Sequence, residues 1–315
     1  MIPENPTPCH FLGADVAKDT ITFYCPRTQQ TTTLRNRVVS LRAFLKKHQE
    51  QTLVLEATGG YEMRLTELAL SMKMVVYRVN PYRVRAFMRA TGQNAKTDAI
   101  DAQALAAFAA QHYASLRPFV PLSPDEKKLH QLTRRRDELI VMRTQEKNRL
   151  QAPDNATLVK SIRTVLACLS KQIASIDAEL LALIKKSNDL SRKTNVLTNV
   201  AGVGQITATN LLAAMPELGS LDRKKVAALA GLAPFAKDSG SKSGYRKTGR
   251  GRRDVRRILF MAAFAASRYN PQLKTFYSRL IQNGKKPMLA LIAVARKLLT
   301  ILNAKIRDDF LLQQS

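Results

Sequence analysis

Asp98 and Asp101 stand three residues apart in Lys96-Thr97-Asp98-Ala99-Ile100-Asp101-Ala102 and lead into an alanine-rich segment, Ala102 to Ala110, that reads as helix. Residues i and i+3 share a helix face, so the two carboxylates point the same way. Such a pair suits a hard divalent cation: Mg²⁺ takes a few carboxylate oxygens and keeps positions for phosphate and water, and Mn²⁺ accepts the same ligands. The plainer reading is two solvated acids favoured by the helix dipole. Two more acids sit at telling places. Asp15 lies within the apolar run Phe11 to Val16, where a bare carboxylate is costly to bury. Glu56 ends Thr52-Leu53-Val54-Leu55-Glu56 just before Ala57-Thr58-Gly59-Gly60-Tyr61, and ligand sites of open α/β sheets gather at strand ends. Taken singly, Asp15 also reads as a turn-initiating acid and Glu56 as a helix cap.

The elements that must position these acids are legible in the hydropathy pattern. Phe11–Val16 and Thr20–Tyr24 read as strands joined by a tight turn at Ala17-Lys18-Asp19, with a third strand at Gln30–Leu34. A short helix over Leu41–His48, a buried strand over Thr52–Glu56, a helix over Glu62–Met72, a strand over Met74–Val79 and a basic helix from Pro81 through Arg89 follow. This order predicts an α/β domain with a mixed sheet. Arg78, Arg83, Arg85, Arg89 and Lys96 approach the acids in sequence; they can bind phosphate or simply form a solvated helix face.

The 315-residue chain carries a formal net charge of +27. Folding does not need that imbalance, which costs self-repulsion and suits a polyanionic partner, nucleic acid foremost. No apolar run is long enough to span a bilayer and no secretory signal pattern opens the chain. Cys9, Cys25 and Cys168 and the four histidines have no metal-ligand spacing, which argues against a zinc site and fits a reducing cytoplasm.

Pro118 to Pro124 reads as a linker. A charged helix over Asp125–Leu150 follows, then a break at Ala152-Pro153-Asp154-Asn155 and a second helix over Ala156–Lys186. In the second helix Leu158, Ile162, Val165, Leu169, Ile173, Ile176, Leu180 and Ile184 form a heptad-like seam, so the pair is expected to be an antiparallel hairpin or a coiled coil that joins subunits. Further on, Gly202-Val203-Gly204 sits in a stretch resembling a helix-hairpin-helix turn, which presents backbone N–H groups to phosphate at the next helix; a plain turn between packed helices is the alternative. Ser241 to Arg253, following Gly231 to Gly240, is a Gly/Ser/Arg-rich loop by composition, with Arg246, Arg250, Arg252 and Arg253 as candidate backbone contacts. Leu289–Leu302 is apolar enough for core.

The three stretches around the acids, Gly13-Ala14-Asp15-Val16-Ala17-Lys18, Glu56-Ala57-Thr58-Gly59-Gly60-Tyr61 and Lys96 to Ala102, resemble in order, spacing and wording the DEDD transposases of the one-ten family of insertion sequences. Asp238-Ser239-Gly240 with the Arg-rich helix downstream resembles the family's second signature, although Thr248-Gly249-Arg250-Gly251 departs from its usual Gly-Gly before arginine. The resemblance implies an α/β, RNase H-like (RuvC-type) N-terminal domain over residues 1–117, a helical coiled-coil middle over 118–195, and a mainly α C-terminal domain over 196–315. It implies that Asp15, Glu56, Asp98 and Asp101 converge on two Mg²⁺ ions and that Ser239 is the nucleophile that joins DNA. It further implies donor and target DNA as substrates, guidance by an element-encoded bridge RNA, dimers that pair into tetramers, and a nucleoid-associated place in the cytoplasm. Two other activities fit parts of the pattern: a RuvC-like junction nuclease using water, which needs the acids but not Ser239, and a nucleic-acid-binding protein that needs neither.

Overall fold

A computed structural model of the chain describes residues 10–93, 95, 97–235, 247–249 and 251–313. The fold divides into two compact units, residues 1–121 and 122–315. The segment 118–195, expected from sequence as a helical middle, falls almost wholly within the second.

The first unit is built on a mixed five-stranded sheet ordered β3-β2-β1-β4-β5. Its elements are β1 (Phe11–Val16), β2 (Thr20–Cys25), β3 (Gln30–Arg35), α1 (Val38–Lys47), β4 (Thr52–Glu56), α2 (Met63–Ser71), β5 (Val76–Val79), α3 (Pro81–Ala90) and α4 (Asp98–His112). Strands β1, β2 and β3 form an antiparallel meander, closed at its first turn by the Ala17 N–H donating to the Thr20 carbonyl at 2.9 Å. β1, β4 and β5 run parallel. Alternation divides the core. Leu12, Ala14, Leu53 and Leu55 pack on the side of α1 and α2, whereas Phe11 and Val54 pack with α3 and α4. The mixed α/β sheet expected from the sequence is therefore present. Glu62 is a local exception. Expected inside a helix, it lies buried in the turn before α2.

The second unit comprises α5 (Pro124–Gln151), α6 (Val159–Lys186), α7 (Asn188–Thr198), α8 (Gln205–Ala214), α9 (Arg223–Leu229), the short strands β6 (Pro234–Phe235) and β7 (Lys247–Thr248), α10 (Arg253–Tyr269), α11 (Pro271–Gln282) and α12 (Pro287–Leu312). Ser123 opens α5 with a full capping box: its side chain accepts from the Glu126 N–H while Glu126 accepts from the Ser123 N–H. A short 3-10 stretch, Pro153–Leu158, returns the chain into α6, so α5 and α6 pack on each other as a hairpin. The seam residues Ile162, Ile173, Ile176, Leu180 and Ile184 are buried within the chain itself. Their periodicity is accounted for without a second subunit. The inner half of the hairpin shares one core with α7 through α12, joining Leu129, Leu139 and Ile173 to Leu211, Leu259 and Leu298. Among the described residues no helix is long and apolar enough to cross a membrane.

Candidate nucleic-acid processing site

Asp15 and Glu56 meet because of strand register. Ala14 pairs with Leu55 across the parallel β1–β4 ladder, and side chains alternate along a strand. The next residues, Asp15 and Glu56, therefore share the opposite face, the one covered by α4. Both are half-buried. Thr97 caps α4, its Oγ1 accepting from the Ile100 N–H at 3.3 Å, which puts Asp98 and Asp101 in the first turn. Ala102, Leu105, Ala106 and Ala109 are buried below them on the sheet-facing side, so the acids extend the packed face of the helix by one turn.

One glycine sets how closely α4 comes. A Cβ built on Gly13 would lie 2.0 Å from the Ala102 carbonyl oxygen and 3.0 Å from the Ala106 nitrogen. Both are backbone atoms, so only glycine at this position admits the helix. Close approach brings four negative charges together. Burial, and then the charges of Asp101, Asp98 and Glu56 in that order, push the Asp15 carboxyl up to about 6. The charges of the other three acids singled out in the sequence thus reach Asp15 in the fold. Among the described residues, however, no three His, Cys, Asp or Glu side chains are close enough to hold a metal ion as they stand. The set suits a divalent cation by its chemistry: oxygen donors only, with mutual repulsion that such an ion relieves.

Two residues that sequence reasoning passed over shape the surroundings. Asn36 is buried and donates from Nδ2 to the carbonyl oxygens of Ala17 (3.3 Å), Lys18 (3.5 Å) and Tyr61 (3.4 Å). It ties the turn after Asp15 to the loop after Glu56. Glu62 accepts from the Thr58 N–H at 3.2 Å and the Gly60 N–H at 2.9 Å and pairs with Arg78 at 3.5 Å, which folds that loop on itself. A Glu two residues past Gly59-Gly60, after Tyr61, is the one available signal.

The basic residues have mixed employment. Arg83 lies over the Phe108 ring, 5.3 Å from its centroid, and reaches the Ser115 hydroxyl at 3.4 Å; Arg85 is exposed on α3. In the second unit, Gly202 has φ +97°, and a Cβ there would lie 2.5 Å from the Ala266 Cα. Packing against α10 thus requires this glycine, whereas Gly204, at the exposed start of α8, has open space around it. Arg252 makes a two-pronged pair with Glu217, 2.6 Å on each side, and also donates to the Ala214 carbonyl at 2.9 Å. Its guanidinium is occupied in holding the chain that enters α10. Arg253 is exposed. Ser239, Lys96, Arg246 and Arg250 lie outside the described residues. The stem that bounds residues 236–246 is described: β6 pairs with β7, Phe235 opposite Lys247, and Gly251 (φ +63°) fits against the Gly231 nitrogen, where a Cβ would come within 2.4 Å.

Two family models match the chain. One, described as a transposase of the DEDD type, covers residues 12–153, and the other, described as transposase IS116/IS110/IS902 family, covers 194–278. The pilin gene-inverting protein of Moraxella bovis is 32% identical over 95% of this chain and 96% of its own length. Its counterpart in Moraxella lacunata is 31% identical over the same shares. An uncharacterized 42 kDa protein of insertion element IS900 from Mycobacterium paratuberculosis is 36% identical over 46% of this chain and 38% of its own. The first model spans Asp15 and the three acids whose charges reach it, and the second spans the stem that bounds residues 236–246. The chain belongs to the IS110/IS116/IS902 family of insertion-sequence transposases and is a DNA transposase/recombinase.

Proposed function

We propose that this transposase cuts and rejoins DNA through a serine–phosphate ester, with Asp15, Glu56, Asp98 and Asp101 holding Mg²⁺ or Mn²⁺ at an RNase H-like, RuvC-type centre. The observation that carries the reading is the meeting of Asp15 and Glu56, on adjacent parallel strands, with the acidic first turn of α4 that Gly13 admits onto the sheet. Divalent cations, if held by these four carboxylates, would supply Lewis-acid stabilisation of charge on the phosphoryl group.

The remaining chemistry belongs to the chain. Ser239 Oγ attacks phosphorus and gives its proton to solvent. The new Oγ–P ester forms as the bond from phosphorus to a sugar oxygen breaks, and that oxygen leaves as a hydroxyl after taking a proton. A sugar hydroxyl then attacks the phosphoserine and returns Ser239 to its free form, so the ester's bond energy is conserved and no high-energy cofactor is consumed. Arg246, Arg250 and Arg253 supply positive charge around this exchange, while Arg83, Arg85 and Lys96 hold backbone phosphates beside the acids. The turn at Gly202 and Gly204 offers α8's first N–H groups to a further phosphate. The reading includes a bridge RNA that pairs with donor and target DNA, and a homodimer that pairs into a tetramer, with an acid domain over 1–117, the helical hairpin over 118–195 and a serine domain over 196–315. The work is placed at the nucleoid. Full-length similarity to proteins named for inverting a pilin gene supports exchange between specified sites.

The test is a covalent adduct. Purified protein, Mg²⁺, labelled donor and target DNA and RNA from the element's flank are mixed, denatured, and resolved by gel and peptide mass spectrometry. The expected result is an adduct on Ser239 that is lost in Ser239→Ala and in Asp15→Asn. Cut DNA without an adduct would favour a water-using nuclease, and bound but uncut DNA a binding protein.

A further inference from the structure

A tyrosine ring carries a large apolar surface that a folded chain normally packs away. Two tyrosines at the strand-end edge of the first unit are not packed away: Tyr61 is 49% exposed and Tyr82 is 81% exposed. Both have pinned backbones. The Tyr61 carbonyl accepts from Asn36, which also grips Ala17 and Lys18 in the turn after Asp15. The Tyr82 N–H donates to the Asn80 side chain at 2.9 Å in the cap of α3. Glu56 and Val79 are partners across the β4–β5 ladder, so α3 leaves the sheet at the same edge where Glu56 stands. Along that edge Tyr61 lies on the β1 side of Glu56 and Tyr82 on the β5 side. The loop leading to Tyr61 is open: Gly59 and Gly60 hold φ values of +70° and +107°, and nothing lies within 4 Å of where their side chains would begin. Arg83, Arg85 and Arg89 are exposed on α3 beside Tyr82.

We propose that Tyr61 and Tyr82 are stacking platforms for the bases of an unpaired nucleic-acid strand that passes the four carboxylates, so that the site takes a strand whose bases are splayed out and not an intact duplex. This rests on the reading of the first unit as the strand-cutting centre. In a duplex the base faces are covered by one another and only phosphates and groove edges are offered. Exposed aromatic rings flanked by arginines match a strand that shows both base faces and backbone, and stacking on them tolerates any sequence because every base has a π-face. The net charge of +27 supplies the long-range attraction.

The chain contains no tryptophan, so Tyr61→Trp and Tyr82→Trp each create a single indole reporter at the proposed platform. The full-length variants are titrated in EDTA, where no cutting occurs, with a DNA strand, the RNA strand of the same sequence, the DNA strand made abasic, and a blunt duplex. Anisotropy of the labelled nucleic acid reports binding in every arm. The expected result is quenched indole emission with base-bearing strands and none with the abasic strand or the duplex. Tyr61→Ala and Tyr82→Ala each weaken strand binding on the order of 10-fold, and Tyr→Phe restores it. The DNA and RNA arms identify which strand the platforms hold. Unchanged emission with strand bound, or equal quenching by the abasic strand, would overturn the proposal. Quenching without any Ser239 adduct sinks only the cleavage reading, and adduct formation without quenching sinks only the platforms.

Discussion

Replacing Gly13 by alanine tests how α4 is held. The new methyl would sit 2.0 Å from the Ala102 carbonyl oxygen, about 1 Å inside the closest approach that real Cβ atoms show. The opposing atoms are backbone, so no rotamer change relieves the overlap and α4 must back away by roughly that distance. Overpacking of this kind costs about 1–3 kcal/mol of stability. Ala102 directly follows Asp101, so the same shift carries Asp98 and Asp101 away from Asp15 and Glu56. A misplacement of about 1 Å costs on the order of 10²-fold in rate where geometry governs the chemistry. Urea unfolding, Mn²⁺ titration and strand cleavage are measured on one preparation. Gly13→Ala is expected to fold with reduced stability, to bind Mn²⁺ more weakly and to cut far more slowly. A folded variant with unchanged stability and unchanged cation affinity would refute the reasoning.

The proton affinity of Asp15 gives a second outcome. Its folded value, about 6, lies above the ordinary 3.8. The cost of the buried, mutually repelled Asp15 carboxylate is therefore fully present well above pH 6 and is relieved as pH falls through 6 towards 4. The stability difference between Asp15→Asn and the parent, measured by thermal melts without divalent cations, favours the variant at pH 7.5 and shrinks on acidification; a pH-independent difference would contradict this. Gly251→Ala forces a side chain into positive φ and against Gly231, costing more than about 1 kcal/mol; it is expected to lower recombination while leaving Mn²⁺ binding by the acids intact, as read by calorimetry. Ile173→Asp buries a charge in the second unit's core and is expected to cost at least the ~2–5 kcal/mol of an Ile-to-Ala truncation, seen as a lowered melting temperature with no change in the subunit number given by light scattering.

The strands were legible because β-forming apolar runs broken by short polar turns leave few alternatives, and the acids were legible because carboxylates at such strand ends and in a first helical turn are conspicuous. What joined them was not. Gly13 matters only because α4, distant in sequence, lands on β1, and no local pattern announces that landing. Asn36 has the same obscurity: three carbonyls from two separate turns give a buried asparagine its purpose. The α6 seam shows the limit of periodicity, which does not say what covers a face: Ile162, Ile173, Ile176, Leu180 and Ile184 are buried within the chain, whereas Leu158 and Val165 at the outer end stay exposed. Gly202 read equally as a phosphate turn or a packing turn, and Ala266 supplies the packing reason. Arg252 looked like its basic neighbours until Glu217, far along the chain, was found opposite.

The central claim is that Asp15, Glu56, Asp98 and Asp101 form one cation site. Calorimetric titration of Mn²⁺ into the full chain and into Asp15→Asn, Glu56→Gln, Asp98→Asn and Asp101→Asn tests it most directly. Binding by the parent that is weakened in each of the four variants, each still folded by circular dichroism, is the result this account predicts. Four variants that bind Mn²⁺ as the parent does would contradict it.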